Sequence, residues 1–193
     1  MRKGSWIETA SGKQMWPLEP RPEDVCIEDI AHALSLLCRY NGHCRFFYSV
    51  GQHSINCAKH ALRQEHSYRV ALLALLHDAA EAYVSDLARP IKPFVKGFDF
   101  IEYNLQQVIY EALKIKPPNP EEEKVIKQID GVLLVTEAPV LMHFNGWGDW
   151  VKGFEADKDI KIEPKPTEDI RQLFVDTFCI LKQRGRLNAR HEV

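Results

Sequence analysis

The sequence predicts an all-α globule that carries a small β element at its N-terminus. From Pro22 onward, apolar residues recur at steps of three and four, which is the periodicity of amphipathic helices. Before that point, Trp6 and Trp16 flank a turn that contains Gly12, a pattern typical of a short hairpin within residues 5 to 20. We therefore expect helices to build the core and the hairpin to be an accessory.

The first three predicted helices follow from apolar spacing and end signals. The first begins at Pro22 and ends at Asn41-Gly42, because glycine commonly ends helices. The second covers about 50 to 64, and Ser49 can cap its N-terminus. The third covers 68 to 84 and is apolar nearly all round, so we expect it at the centre of the fold.

The second half of the chain predicts three more helices and one irregular segment. The helices cover about 98 to 113, 121 to 143 and 167 to 184, and the irregular segment covers 144 to 166. An irregular stretch of that length is uncommon and often functional, as a lid, a contact surface or an inserted loop. We expect residues 1–193 to form a single domain, whose core is about 22–143.

Composition excludes several classes of protein. A net charge of −2 argues against a protein that coats a nucleic-acid polymer. The sequence has no long apolar run, which predicts no membrane span, and its N-terminus lacks the pattern of a signal peptide. The five cysteines form no C-x-x-C pair, so we expect reduced thiols in a cytoplasmic protein, with Cys38, Cys57 and Cys179 in the core.

The dipeptide His77-Asp78 is the most informative functional signal in the sequence. It ends an apolar run, and burying two such side chains is costly unless something pairs with them. With His53 and Asp130 it makes a set of two imidazoles and two carboxylates, which suits iron, manganese, cobalt or nickel. A single helical histidine is usually structural, so the hypothesis of a metal site depends on the adjacent pair.

The chain resembles the HD-domain metal-dependent phosphohydrolases, whose H…HD…D pattern is matched in order by His53, His77-Asp78 and Asp130. Longer blocks make the resemblance specific to a subgroup and extend it over roughly residues 10 to 142. That subgroup includes bacterial 5'-deoxynucleotidases, a phage dATP triphosphohydrolase and the HD phosphohydrolase of oxetanocin biosynthesis. The blocks are residues 27–34, 38–43, 47–54 and 77–83.

The resemblance implies an HD-domain fold and a metal-dependent hydrolase in which metal-activated water attacks the phosphate of a nucleotide. It favours adenine-type triphosphates such as dATP, and a 5'-deoxynucleotidase of monophosphates is the alternative. A cyclic-nucleotide phosphodiesterase and a non-catalytic nucleotide-binding module are less favoured. The expected cofactor is one divalent transition metal (cobalt, manganese, iron or nickel), with magnesium a further candidate at the phosphates. The expected partner is a small nucleotide, not a membrane or a nucleic-acid polymer, and self-association into a homo-oligomer stays open.

Two acidic residues are the candidate catalytic groups. Glu81 follows His77 by four residues, so on one helix both would face the same side. A carboxylate there can position the attacking water or accept its proton. The resemblance implies a role for Asp86 near the phosphate or the leaving oxygen. A solvated helical glutamate and a capping aspartate are the alternatives.

Four residues are candidates for substrate binding. The resemblance places Arg39, Arg45 and Lys92 on the phosphate side, and an arginine fork matches phosphate oxygens. We expect Arg39 at the end of the first helix. Tyr40 could pack on the base. Each cation could equally be a surface charge, and Tyr40 could equally belong to the core.

Overall fold

The computed structural model describes residues 2–144 and 147–191 of the 193-residue chain. Within these ranges the fold is mostly helical, with seven α-helices and a small two-stranded antiparallel sheet at the N-terminus, so the predicted fold class is confirmed. The helices are α1 Ile27–Leu36, α2 Val50–Arg63, α3 Tyr68–Leu75, α4 Glu81–Val84, α5 Phe98–Ala112, α6 Pro120–Leu141 and α7 Thr167–His191.

The N-terminal hairpin is fastened to the helical core. Strand β1, Ile7–Glu8, pairs with strand β2, Gln14–Met15, and the turn between them contains Gly12 at φ 81°. The backbone N–H and the hydroxyl of Ser11 each donate to the Asp29 carboxylate of α1 at 2.7 Å. These bonds anchor the turn on the first helix.

Local sequence explains where α2 and α6 begin and why α7 is longer than predicted. The Ser49 side chain accepts a hydrogen bond from the backbone N–H of Gln52, as predicted for the cap of α2. Asn119 and Glu122 form a capping box at the start of α6. Helix α7 continues past Gly185 to His191, because an internal glycine weakens a helix by only about 1 kcal/mol.

The prediction of one helix from Pro22 to Gly42 is wrong. A 3₁₀ turn precedes α1, and α1 ends at Leu36. The chain then becomes extended, because the backbone N–H of Val50 donates to Leu37 O and that of Arg39 to Tyr48 O, both at 2.9 Å. Arg39 therefore begins a separate 3₁₀ turn, Arg39–Gly42, instead of ending the first helix.

The predicted helix from 68 to 84 is also interrupted. Helix α3 ends at Leu75, residues 76–80 form a turn, and α4 begins at Glu81. The side chain of Gln106 on α5 explains the break, because it replaces helical hydrogen bonds. Its amide N–H donates to Leu76 O at 2.9 Å, and its amide oxygen accepts from the Ala80 N–H at 3.1 Å.

Helix α3 lies at the centre, as predicted, and packs between α2, α6 and α7. The described part of the irregular segment is residue 144 together with residues 147–166. Residues 147–166 form a strap over α2 and α6. Phe154 of the strap packs where Gly131 of α6 has no side chain, and the amide nitrogen of Gln52 donates to Glu163 O at 2.9 Å. The strap thus braces the two helices that carry His53 and Asp130.

All five cysteines are free thiols. Cys57 is buried as expected and Cys38 is half-buried, but Cys179 is exposed because it lies on the outer side of α7. Among the described residues, none of the helices has both the length and the apolar composition needed to cross a membrane.

Candidate metal centre and adjoining cavity

The turn after α3 aims His77 into the protein interior. Its Nδ1 lies 2.8 Å from Ala74 O, and because a carbonyl only accepts, Nδ1 must carry the proton. Nε2 is then the ring nitrogen that remains for another partner. This buried nitrogen has no hydrogen-bond partner among the described residues, although the Asp78 carboxylate approaches it to 3.1 Å. A buried, unpaired nitrogen is costly unless something binds it.

His53 of α2 is oriented in the same way by Glu137 of α6. The imidazole is 0% exposed, and its Nδ1 lies 2.8 Å from Glu137 Oε1. Glu137 is also 0% exposed and accepts a hydrogen bond from the Tyr48 hydroxyl at 2.9 Å. The carboxylate therefore holds the proton of His53 on Nδ1 and turns Nε2 towards the turn that carries His77.

The Nε2 nitrogens of both histidines face two carboxylates. His53 Nε2 lies 3.3 Å from Asp130 Oδ1 and 3.9 Å from Asp78 Oδ2. His77 Nε2 lies 4.0 Å from Asp130 Oδ1. The structure thus brings together all four residues that the sequence singled out as metal ligands.

A cysteine joins the two histidines. The ligand atoms of His53, Cys57 and His77 all lie within 4.8 Å of one another, so these three residues form a group that could hold a metal ion. Cys57 lies one turn after His53 on α2, and its Sγ is 3.4 Å from His53 Nε2. Its place beside the histidines was not predicted from the sequence, where it was assigned only to the core.

The electrostatics of the centre keep its carboxylates ionised. Burial alone would raise the pKa of Asp78, but His77 and His53 outweigh it and lower that pKa to about 2. Burial also opposes ionisation of Asp130, yet the hydrogen bond and charge of His53 hold its pKa well below the usual value. Both aspartates are therefore anionic at neutral pH.

The pKa values of the two candidate catalytic acids, Glu81 and Asp86, shift in the opposite direction. Burial, with the negative charges of Asp78 and Asp86, raises the pKa of Glu81 well above its ordinary value. Burial also raises the pKa of Asp86. Glu81 opens α4 rather than sharing a helix with His77, so the predicted same-face spacing was wrong, although both residues lie close to Asp78.

Arg39 brings positive charge to the centre. Its Nε lies 3.1 Å from Glu137 Oε2, its Nη1 lies 3.9 Å from Asp78 Oδ2, and its Cζ stacks 5.2 Å from the ring centroid of Tyr40. Tyr40 has a left-handed backbone, φ 54°, which is strained for a residue with a side chain. The 3₁₀ turn thus presents Arg39 and Tyr40 side by side.

A cavity of about 720 Å³ opens beside these groups, within the range of small-molecule sites. It is lined by most of the predicted catalytic and substrate-binding residues: Arg39, Tyr40, Glu81, Asp86 and Lys92, together with Asp78 and Asp130. Lys92 also pairs with Glu102 of α5 at 2.6 Å. Arg45 is not among the lining residues; it is exposed, and its backbone N–H donates to Leu141 O at 2.7 Å.

Sequence reasoning missed two further residues at the centre. Glu137 follows Asp130 by seven residues, or two helical turns, so the spacing within α6 could have placed it on the same face. Arg89 was not singled out in the sequence. In the structure it lines the cavity and its Nη2 lies 3.1 Å from Asp130 Oδ2.

These features define a helical protein with a candidate metal centre at the wall of a cavity. The chain is 35% identical over 181 residues to the uncharacterized protein YfdR of Escherichia coli (strain K12), covering 93% of this chain and 97% of YfdR. It is 32% identical over 198 residues to the uncharacterized protein RCAP_rcc00048 of Rhodobacter capsulatus, covering 99% and 96% of the two chains. The chain therefore belongs to the family of YfdR. No protein-family model matches the sequence.

Proposed function

We propose that the protein is an HD-domain phosphohydrolase that uses one divalent metal ion to hydrolyse deoxynucleotides, with adenine-type triphosphates such as dATP as the preferred substrates. One observation carries the proposal. His53, His77, Asp78 and Asp130, in the order H…HD…D, converge beside a cavity that is also lined by candidate acid–base and phosphate-binding residues.

The donor atoms fit a metal ion. Ligand atoms about 2.1 Å from a common ion lie roughly 3.0 to 4.2 Å apart, depending on the angle between them. The four nitrogen-to-oxygen separations among these residues run from 3.1 to 4.0 Å. Each histidine already donates through Nδ1, which is the usual arrangement of a metal-binding imidazole. Two imidazoles and two carboxylates suit cobalt, manganese, iron or nickel.

When bound, such an ion supplies Lewis acidity, which lowers the pKa of water and polarises a phosphoryl oxygen. The protein must then neutralise the remaining phosphate charge. Arg39, Arg89 and Lys92 all line the cavity, and three cations suit the several charges of a triphosphate. Arg39 is fixed by Glu137 and needs little reorganisation to receive a phosphoryl oxygen.

Glu81 is the proposed acid–base residue. Its buried Oε2 has no hydrogen-bond partner among the described residues, so that atom can hold a water molecule and accept its proton. Burial and the neighbouring carboxylates raise the pKa of Glu81, which makes its ionised carboxylate a stronger base. Asp86 lines the same cavity and its pKa is also raised by burial, which supports a role in returning a proton to the leaving oxygen.

The aromatic wall supports a base-binding role. Tyr40 and Trp147 both line the cavity, and their ring centroids lie 5.8 Å apart in an edge-to-face arrangement. Aromatic surfaces of this kind stack on nucleobases, with about 1–3 kcal/mol gained per base. A nucleotide would then lie with its base at this wall and its phosphates towards Arg39.

A substrate comparison tests the proposal. Protein loaded with cobalt or manganese is incubated with dATP, dAMP or cyclic AMP, and the released products are quantified. Faster turnover of dATP than of dAMP is the expected result. Turnover of dAMP alone would instead support a 5'-deoxynucleotidase. A protein that binds metal and nucleotide without hydrolysing any of the three would be a binding module, and the proposed activity would be wrong.

A further inference from the structure

We propose that Cys57 is an additional ligand of the metal centre and makes the centre selective for thiophilic ions, such as zinc and cobalt, over manganese and magnesium. This inference rests on the metal centre of the proposed function and adds to it the identity of the ion. It concerns a residue outside the H…HD…D pattern.

The geometry places the thiol among the other donors. Cys57 follows His53 by four residues on α2, so both side chains project from the same face of that helix. Its Sγ lies 3.4 Å from His53 Nε2, the nitrogen that faces Asp78 and Asp130. Sulfur at about 2.3 Å and nitrogen at about 2.1 Å from one ion are roughly 3.1 to 3.6 Å apart for bond angles between about 90° and 110°, so the observed separation suits shared coordination.

Two other thiols make contacts of a different kind. The Sγ of Cys26 donates to the Asp29 carboxylate at 3.0 Å, and that of Cys44 donates to Arg39 O at 3.3 Å. These are weak hydrogen bonds to oxygen acceptors. Cys57 instead directs its sulfur at a histidine nitrogen whose partner ring atom is already held by Glu137, and it is 1% exposed.

Chemistry then determines which ions gain from the thiol. As the bond from Sγ to the metal forms, the thiol proton passes to solvent and a soft thiolate replaces it. Thiolates bind zinc and cobalt strongly, whereas manganese and magnesium favour oxygen ligands. A centre with Cys57 as a ligand therefore discriminates between these two groups, and one that contains only imidazoles and carboxylates discriminates much less.

Cobalt spectroscopy tests the proposal directly. Metal-free protein is titrated with cobalt, and the near-ultraviolet thiolate-to-cobalt charge-transfer absorption is recorded for wild type, Cys57→Ser and Cys179→Ser. Cys179 is an exposed thiol on α7 and serves as the matched control. We expect the absorption in wild type and Cys179→Ser and its loss in Cys57→Ser. Wild-type protein that binds cobalt without this absorption would overturn the assignment of Cys57.

Competition between zinc and manganese supplies a second readout that does not depend on activity. Cys57→Val keeps a buried apolar side chain, and circular dichroism verifies its fold. We expect the ratio of zinc to manganese affinity to fall by about tenfold or more in this variant. An unchanged ratio would refute the selectivity. Charge-transfer absorption without nucleotide hydrolysis would support Cys57 as a metal ligand and refute the proposed function. Hydrolysis without the absorption would support the proposed function and refute Cys57 as a ligand.

Discussion

Replacing Glu137 perturbs the centre without removing a metal ligand. Glu137 is fully buried, lies 2.8 Å from His53 Nδ1, accepts from the Tyr48 hydroxyl and pairs with Arg39 at 3.1 Å. Glu137→Ala would leave Arg39, which is 9% exposed, with only the more distant Asp78 carboxylate, at 3.9 Å, among its ion-pair partners in the described residues. Removing one partner of a buried ion pair costs about 3–5 kcal/mol. Urea denaturation of the metal-free protein measures this loss.

Glu137→Gln is the sharper variant because it keeps the shape of the side chain. An amide no longer fixes the proton of His53 on Nδ1, and loss of such a partner typically weakens metal binding by about 10–100-fold. Calorimetric titration with cobalt or manganese measures this affinity. The control is Glu122→Gln, which disturbs another arginine pair of α6, with Arg69 at 2.7 Å, in the first turn of the helix. Wild-type metal affinity in Glu137→Gln would refute the assignment of Glu137 as the residue that orients His53.

The pH dependence of the same variant has a defined sign. Burial opposes ionisation of Glu137, but His53 and Arg39 prevail and lower its pKa in the folded protein. A lowered pKa adds stability that is present above the unfolded value of about 4.3 and is lost as the pH falls through the folded pKa. The free energy of unfolding of wild type should therefore exceed that of Glu137→Gln at neutral pH, and the difference should shrink on acidification. A difference that grew on acidification would contradict this account.

Three further predictions concern catalysis, the strap and the bound ion. Glu81→Gln should lower turnover of dATP by about 100-fold or more while metal affinity stays within a few-fold, because Glu81 handles a proton and is not a ligand; steady-state kinetics and calorimetry check this, and equal losses of both would contradict it. Gly131→Ala would place a Cβ 2.2 Å from the ring of Phe154 and should destabilise the protein by about 1–3 kcal/mol. In the double variant, Phe154→Ala should remove much of the cost of Gly131→Ala. Urea denaturation measures both, and losses of the two single variants that simply add in the double variant would refute the contact. Chelation of the ion should lower the free energy of unfolding by about 2.7 kcal/mol relative to protein held at a metal concentration 100 times the Kd, and an unchanged denaturation midpoint would show that the ion does not bind the folded state.

Local signals predicted the parts of the fold that depend on neighbouring residues. Ser49 caps α2, and Gly12 lies in the turn of the hairpin. Helix α3 is buried because apolar residues lie on nearly all of its faces. The four candidate ligands were found because an adjacent histidine and aspartate at the end of an apolar run are costly without a partner. These conclusions required only spacing along the chain.

The errors arose where distant residues compete for backbone hydrogen bonds. Gln106 of α5 breaks the helix before Glu81, and pairing of Leu37 and Arg39 with residues 48–50 ends α1 early. Neither partner is visible from local periodicity. Arg89 was likewise missed, because it contacts Asp130 only through the tertiary packing of its loop against α6. Glu137 is the exception, since its spacing from Asp130 on α6 was available in the sequence.

Phosphate release from dATP during titration of metal-free protein with cobalt tests the central claim most directly. The account predicts that release rises with added metal and saturates at about one ion per chain, and that Asp130→Asn shows neither tight binding nor release. Wild-type protein that binds one ion tightly in the centre and still leaves dATP and dAMP intact would contradict the account.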